Sequence, residues 1–210
     1  MPTLTNKVYT TAALIGKFLN ITAPADADVL EFILTAQKII DDYTQKNFKA
    51  DTSASARVYD GNDEQELLID DCVEISTVEQ GVDFWGDSFN TIASSGIDSY
   101  RTDPANRSVG GITLPISKLI LRQRVWTKGS QNNRITAKWG YTVAPPEDIQ
   151  MVATIIAAGL YNYNRGGVGD IKSEKIGNYA VTYANDEGNN SFGDFQKAMM
   201  VLDSYKEFSL

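Results

Sequence analysis

The sequence predicts an α+β protein: a small helical bundle of about four helices, a β-rich insertion between the two helix pairs, and a short β-hairpin between the last two helices. Three observations predict it. Apolar residues recur at helical spacing on both sides of the chain's middle, as Val29, Phe32, Ile33, Ala36, Ile39, Ile40 and Tyr43 and again as Ile149, Val152, Ala153, Ile156, Leu160 and Tyr163. From Ala56 to Tyr141 that period disappears, and short runs of β-branched and aromatic residues are separated by Gly, Asn, Asp and Pro. After the turn dipeptide Gly177-Asn178, Tyr179, Val181 and Tyr183 alternate with Ala180 and Thr182, the period-two pattern of a strand. The helical core is therefore expected in residues 1–54 and 143–210, and the β-rich module in 55–142.

A first helix is expected over residues 8–20, capped by Thr10 or Thr11, with Leu14, Ile15, Phe18 and Leu19 as its apolar stripe. Ala23-Pro24-Ala25 breaks it, and Asp26 or Asp28 caps a second helix reaching Tyr43. Strands are predicted near 56–59, 66–69, 74–79, 89–93, 97–101, 119–126 and 134–139, with Gly61-Asn62 as a hairpin turn. Residues 103–106 and 129–133 read as loops and candidate contact surfaces. Pro146 suits the first turn of a third helix, where Glu147 and Asp148 meet the favourable end of the helix dipole. Gly159 inside that helix costs roughly 1 kcal/mol relative to Ala, a cost that close approach of a neighbouring helix offsets. Gly166-Gly167-Val168-Gly169 ends the helix and lacks the following Lys of a phosphate loop. Asp194 caps the last helix, whose apolar face is Phe195, Ala198, Met199, Leu202 and Tyr205.

The 210 residues carry 27 acids against 19 bases, a net charge of −8, with no dense Lys/Arg cluster. That balance argues against tight nucleic-acid binding, which draws its affinity from cations that displace condensed counterions. The absence of His removes Ser-His and Cys-His nucleophile pairs and the commonest transition-metal ligand. Cys72, the one cysteine, sits in an apolar setting that suits a buried thiol. No apolar run approaches the roughly 20 residues of a membrane helix, and Met1-Pro2-Thr3-Leu4-Thr5 has no signal-peptide character, so a cytoplasmic origin is expected.

Several clusters invite a site. Asp41-Asp42 could hold a cation, but adjacent helix residues diverge by about 100°, so both are expected on the solvated surface. Asp60, Asp63, Glu64, Glu66, Asp70 and Asp71 lack the spacing of a calcium loop. Arg122 and Arg124 share a strand face as a base-edge reader would, or as any solvent face does. No pair of acids stands in a hydrolase motif. Trp85, Trp126 and Trp139 leave open a β-rich binding module, such as a carbohydrate-binding protein of a tail or surface, although tryptophans in a β domain are more often core. No catalytic residue, metal ligand or cofactor site is expected.

One resemblance covers nearly the whole chain. Val8…Leu14-Ile15-Gly16, the helix end Ala36…Ile39-Ile40…Tyr43-Thr44…Phe48, then Arg57-Val58-Tyr59-Asp60-Gly61, and later Ile135-Thr136-Ala137-Lys138-Trp139-Gly140-Tyr141, Pro146-Glu147-Asp148-Ile149 and Ser173 to Tyr183, are similar in order and spacing to the head-tail connector (adaptor) family of long-tailed bacteriophages and prophages. The resemblance implies a non-enzymatic virion protein, made in the bacterial host cytoplasm and placed at the virion neck. It implies a dodecameric ring docked under the portal protein, meeting the stopper or tail-completion protein below, with DNA passing through the channel unbound and no membrane involved. It places portal or intersubunit contacts on Lys175, Ile176, Tyr179, Val181, Tyr183, Tyr205, Phe208 and Leu210. The long β-rich stretch departs from the smallest, helical members of that family.

Overall fold

The computed structural model describes residues 8–109, 112–164, 173–176, 179–182 and 191–206, with the side chains at 109, 112, 173–176, 179–182 and 191–195 left aside. The fold is α+β, with four α-helices and an antiparallel sheet of six strands. The chain divides into two compact units, residues 1–45 with 147–210, and residues 46–146.

In the first unit, α1 (Ala12–Phe18), α2 (Asp26–Thr44), α3 (Glu147–Asn164) and α4 (Ser191–Tyr205) pack with α3 against each of the other three. Its central place explains its composition. Ile149, Val152, Ala153, Thr154, Ile156, Ala157, Ala158 and Tyr161 are all buried, and the alanines let neighbouring helices come close. Tyr161, edge-on to Phe32 of α2, is buried, whereas the expected Tyr163 is exposed. Among the described residues, a Cβ on Gly159 would meet nothing within 4 Å, so no described neighbour explains that glycine.

Thr11 caps α1, its hydroxyl accepting from the Leu14 amide. Ile15 is wholly buried, but Leu14 and Phe18 of the predicted stripe are exposed, because a seven-residue helix docks only the face carrying Ala12, Ile15 and Gly16. Gly16 is required there: a Cβ would lie 2.7 Å from Ala23 Cα, where the chain folds back through Asn20 at φ 55°. α2 begins one residue earlier than a cap at Asp26 requires. Ala25 is the cap residue and makes no side-chain bond, and Asp26 and Asp28 occupy the first turn. Val29, Ile33, Ala36 and Ile40 form its buried face, while Ile39 is exposed. α4 starts at Ser191, so Asp194 lies inside the helix and does not cap it.

Asp41 departs from the solvated surface expected of it. The side chain is half-buried and accepts a 2.6 Å hydrogen bond from the hydroxyl of Tyr9, itself almost fully buried. Burial pushes its carboxyl up to about 6, against the opposing bond from Tyr9. Gln37 stands one turn earlier on α2, its Oε1 buried without a partner among the described residues. Asp42 does remain outside, paired with Lys38 at 2.8 Å.

The second unit is built on β1 (Ser55–Gly61), β2 (Glu66–Gly81), β3 (Phe89–Thr91), β4 (Tyr100–Asp103), β5 (Ser108–Val109), β6 (Ile112–Thr113), β7 (Ile116–Leu121) and β8 (Gly129–Trp139). The sheet runs β1-β8-β2-β7-β4 with β3 also on β2, and β5 and β6 pair separately. β8 stands between β1 and β2, so Gly61-Asn62 is not the hairpin turn its residues suggested. Gly61 instead closes against Thr127, whose carbonyl would lie 1.8 Å from an added Cβ. The two segments 66–69 and 74–79 are one long strand. Register shifts between Cys72 and Glu74 and between Ile75 and Thr77 bend it, so that Leu67, Ile69, Cys72 and Val78 all face inward despite their odd spacings.

Their core also takes Ile92, Ile116, Leu119, Leu121, Trp126, Ile135, Ala137 and Trp139. Cys72 is wholly buried, and burial pushes its thiol up to about 12. The outer surface is tied by cross-strand pairs: Arg134 to Glu79, Lys138 to Glu74, Lys118 to Glu66 and Arg57 to Asp70.

One predicted loop is strand, and two predicted strands are shorter than expected. β8 starts at Gly129, so the stretch 129–133 is strand with Asn132 and Asn133 wholly buried. Asn132 Oδ1 accepts from the Gly61 amide at 2.9 Å and its Nδ2 donates to Thr127 O at 2.8 Å, which satisfies backbone groups at the irregular end of β1. β7 ends at Leu121, so Arg122 and Arg124 do not share a strand face. They donate to the carbonyls of Gly96 and Asp98 and hold that loop. β4 likewise starts at Tyr100, after the predicted 97.

Candidate functional site

The stretch singled out by its alternation forms a hairpin in backbone. β9 (Ser173–Ile176) pairs antiparallel with β10 (Tyr179–Thr182), in the register Tyr179 to Ile176, Ala180 to Lys175, Val181 to Glu174 and Thr182 to Ser173. Gly177 and Asn178 fall between the paired ends and lie outside the described residues, as do Tyr183, Phe208, Leu210 and the Gly166 to Gly169 segment. Of the expected contact positions, Lys175, Ile176, Tyr179 and Val181 thus stand on one hairpin, between α3 and α4 in the chain.

Tyr205 stands apart, at the end of α4. It is half-buried, and its hydroxyl donates to the Asp148 carboxylate at 2.9 and 3.2 Å, tying the last turn of α4 to the first turn of α3. Tyr43 adds a parallel tie, its hydroxyl donating to Asp203 at 2.5 Å while Lys206 Nζ lies 4.3 Å from its ring centroid. Both ties bind the helix that follows the hairpin to the bundle. Sequence spacing could not show them, because the partners are distant in the chain.

The acids that invited a cation are distributed among other partners. Glu66, Asp70 and Asp71 pair with Lys118, Arg57 and Lys46, and Asp60 and Asp63 accept from the amides of Gln131 and Lys128. Among the described residues, no group of three or more Cys, Asp and Glu side chains could hold a metal ion, and no helix is long and apolar enough to cross a membrane.

The tryptophans divide. Trp126 and Trp139 are interior, with their indole N–H groups donated to Gln65 O and Ser55 O. They cannot form a stacking platform for sugar. Trp85 is exposed beside Phe84, in a fixed loop that the sequence did not distinguish from core.

No family model and no curated protein matches the chain. Solved structures do. A chain in the neck of an empty gene transfer agent (GTA) particle, computed with C6 symmetry, aligns with a TM-score of 0.54 at 11% identity, over 93% of this chain and 90% of that one. A chain in the neck of a native GTA particle, computed with C12 symmetry, aligns with a TM-score of 0.49 at 14% identity, over 95% and 91%. The first likeness is one of fold.

Proposed function

We propose that this chain is a structural subunit of the neck of a tailed phage or phage-like particle: a head-tail connector whose copies form a ring under the portal protein, receive a stopper or tail-completion protein below and leave DNA an open channel. The observation that carries the proposal is the shared fold, which spans nearly all of both chains and whose solved counterpart is part of a neck. The ordered motifs that resemble connector proteins add independent support, since they come from the sequence alone. The C6 symmetry of the neighbour's particle neck supports a ring. An acidic chain with −8 net charge suits a channel wall, because it gives phosphates nothing to grip.

The hairpin of β9 and β10 is the proposed contact element toward portal or neighbouring subunit. A two-stranded hairpin leaves strand edges that a partner strand can extend, with alternate side chains supplying specificity. In the double variant Tyr179→Ala with Tyr183→Ala the thermal midpoint of the free protein should stay within a few degrees of wild type. Tail joining in a complementation assay should fall at least tenfold. Normal tail joining by a stably produced double variant would remove the hairpin from the contact.

A further inference from the structure

We propose that the aromatic loop between β2 and β3 docks onto a second copy of this chain, against a basic-rimmed apolar patch made of Ile97, Val125, Arg122 and Arg124. This rests on the ring proposed above and assigns a surface to it. Both surfaces belong to the unit 46–146.

The loop presents Val82, Phe84 and Trp85, exposed by 59%, 50% and 70%. Such exposure in an ordered loop is uncommon for side chains of this size, and Trp is the residue most enriched among those that dominate interface energies. The loop is held in shape without a partner. One oxygen of Asp83 accepts from the amides of Trp85 and Asp87, both at 3.1 Å, and the Ser130 amide donates to Phe84 O at 2.8 Å. Gly86 takes φ 70° where a Cβ would stand 2.7 Å from Gln131 O, and the Phe84 and Trp85 rings meet edge-on at 5.1 Å. Binding therefore has little loop ordering left to offset.

The second surface matches it in kind and opposes it in charge. Ile97 is 66% exposed and Val125 40%. The guanidinium groups of Arg122 and Arg124 donate to the carbonyls of Gly96 and Asp98, on either side of Ile97, Val125 follows Arg124 in the chain, and Arg101 is exposed on β4. Among the described residues these arginines have no carboxylate partner, in contrast to Arg57, Lys118, Arg134 and Lys138, each of which meets an acid within 3.0 Å. The loop's Asp83 and Asp87 have no cationic partner among the described residues, and the amides around Asp83 hold its carboxyl below the usual range, so it stays charged. Among the described residues, no hydrogen bond or ion pair joins the two surfaces within one copy.

An acid-flanked aromatic knob and a base-flanked aliphatic patch complement each other. A two-fold contact of loop on loop would set Asp83 and Asp87 against their own images. Pairing of unlike surfaces is head-to-tail, the kind of contact that forms a ring when its rotation closes.

The test mixes two proteins, one carrying Ser88→Cys beside the loop and the other Ser95→Cys beside the patch, with a short bis-maleimide. Both serines are exposed, and the native Cys72 is buried. Cross-linked dimers should form in the mixture at least tenfold faster than with either protein alone, and Trp85→Ala or Asp87→Arg in the Ser88→Cys partner should abolish the excess. No excess in the mixture, in free protein and on portal rings alike, overturns the assigned surface; if rings are still seen there, the connector proposal stands. Excess cross-linking without any docking to the portal leaves the self-contact and removes the connector. Dimers of Ser88→Cys alone would mean loop-to-loop pairing and overturn the head-to-tail contact.

Discussion

Trp139→Ala is expected to cost about 3–5 kcal/mol of stability, the range for truncating a large buried aromatic. Trp139 closes β8, pairs in register with Cys72 on β2, and lies under Arg57, whose guanidinium carbon is 4.5 Å from the ring centroid. Its indole N–H donates to Ser55 O at 2.8 Å at the start of β1, and the Tyr59 ring lies 6.2 Å away. Truncation opens a cavity where β1, β2 and β8 meet, orphans a carbonyl and removes a cation–π contact together. Trp85→Ala is the control, because a side chain exposed by 70% loses little on truncation, within about 0.5 kcal/mol. Urea unfolding followed by circular dichroism should show a large fall in midpoint for the first and almost none for the second; equal midpoints would contradict the packing described.

The second large effect is one of pH, at Asp41. Its folded carboxyl titrates near 6, above the 3.8 of an unfolded chain. The native state therefore binds that proton more tightly, and the group's contribution is fully favourable below about 4 and is lost as pH rises through about 6. Between pH 4 and 7.5 it should cost on the order of 2 kcal/mol. Asp41→Asn removes the titration. The amide oxygen can still accept from the Tyr9 hydroxyl. The variant should match wild type near pH 4 and melt several degrees higher at pH 7.5. A difference that does not change with pH would show that burial does not raise this carboxyl.

Much of this fold was legible where one local signal suffices. The helical spacing of Val29, Ile33, Ala36 and Ile40 and of Ile149, Val152, Ala153 and Ile156 placed α2 and α3, and Gly177-Asn178 with its alternating flanks placed the hairpin. The errors fall where a partner distant in sequence decides. Gly61-Asn62 has hairpin chemistry, yet β8 inserts beside β1 and uses that glycine for close approach. Asn132 reads as a loop residue because a buried asparagine needs partners, and the bulged end of β1 supplies one 71 residues away; Asn133 donates in turn to the Asn132 side chain. Arg122 and Arg124 obey strand spacing, but their hydrogen bonds go to a loop 26 residues earlier.

At the proposed contact positions, composition and order marked the hairpin but not the loop at Trp85. An exposed tryptophan and a buried one are the same letter, and Trp126 and Trp139 are both interior. What sets Trp85 apart is the Asp83 turn and the Ser130 bond that hold it outward. Tyr205, expected as a contact residue, also has a role inside the protein through Asp148, visible only once α3 and α4 are packed.

The connector assignment is tested most directly by mixing the purified chain with portal rings from the same phage or prophage and imaging end and side views. The expected result is an added ring of density on the tail-facing side of the portal, coaxial with its channel and open at the centre. Portal rings that stay bare at saturating protein, while the folded chain remains in solution and tail joining proceeds without it, would contradict it.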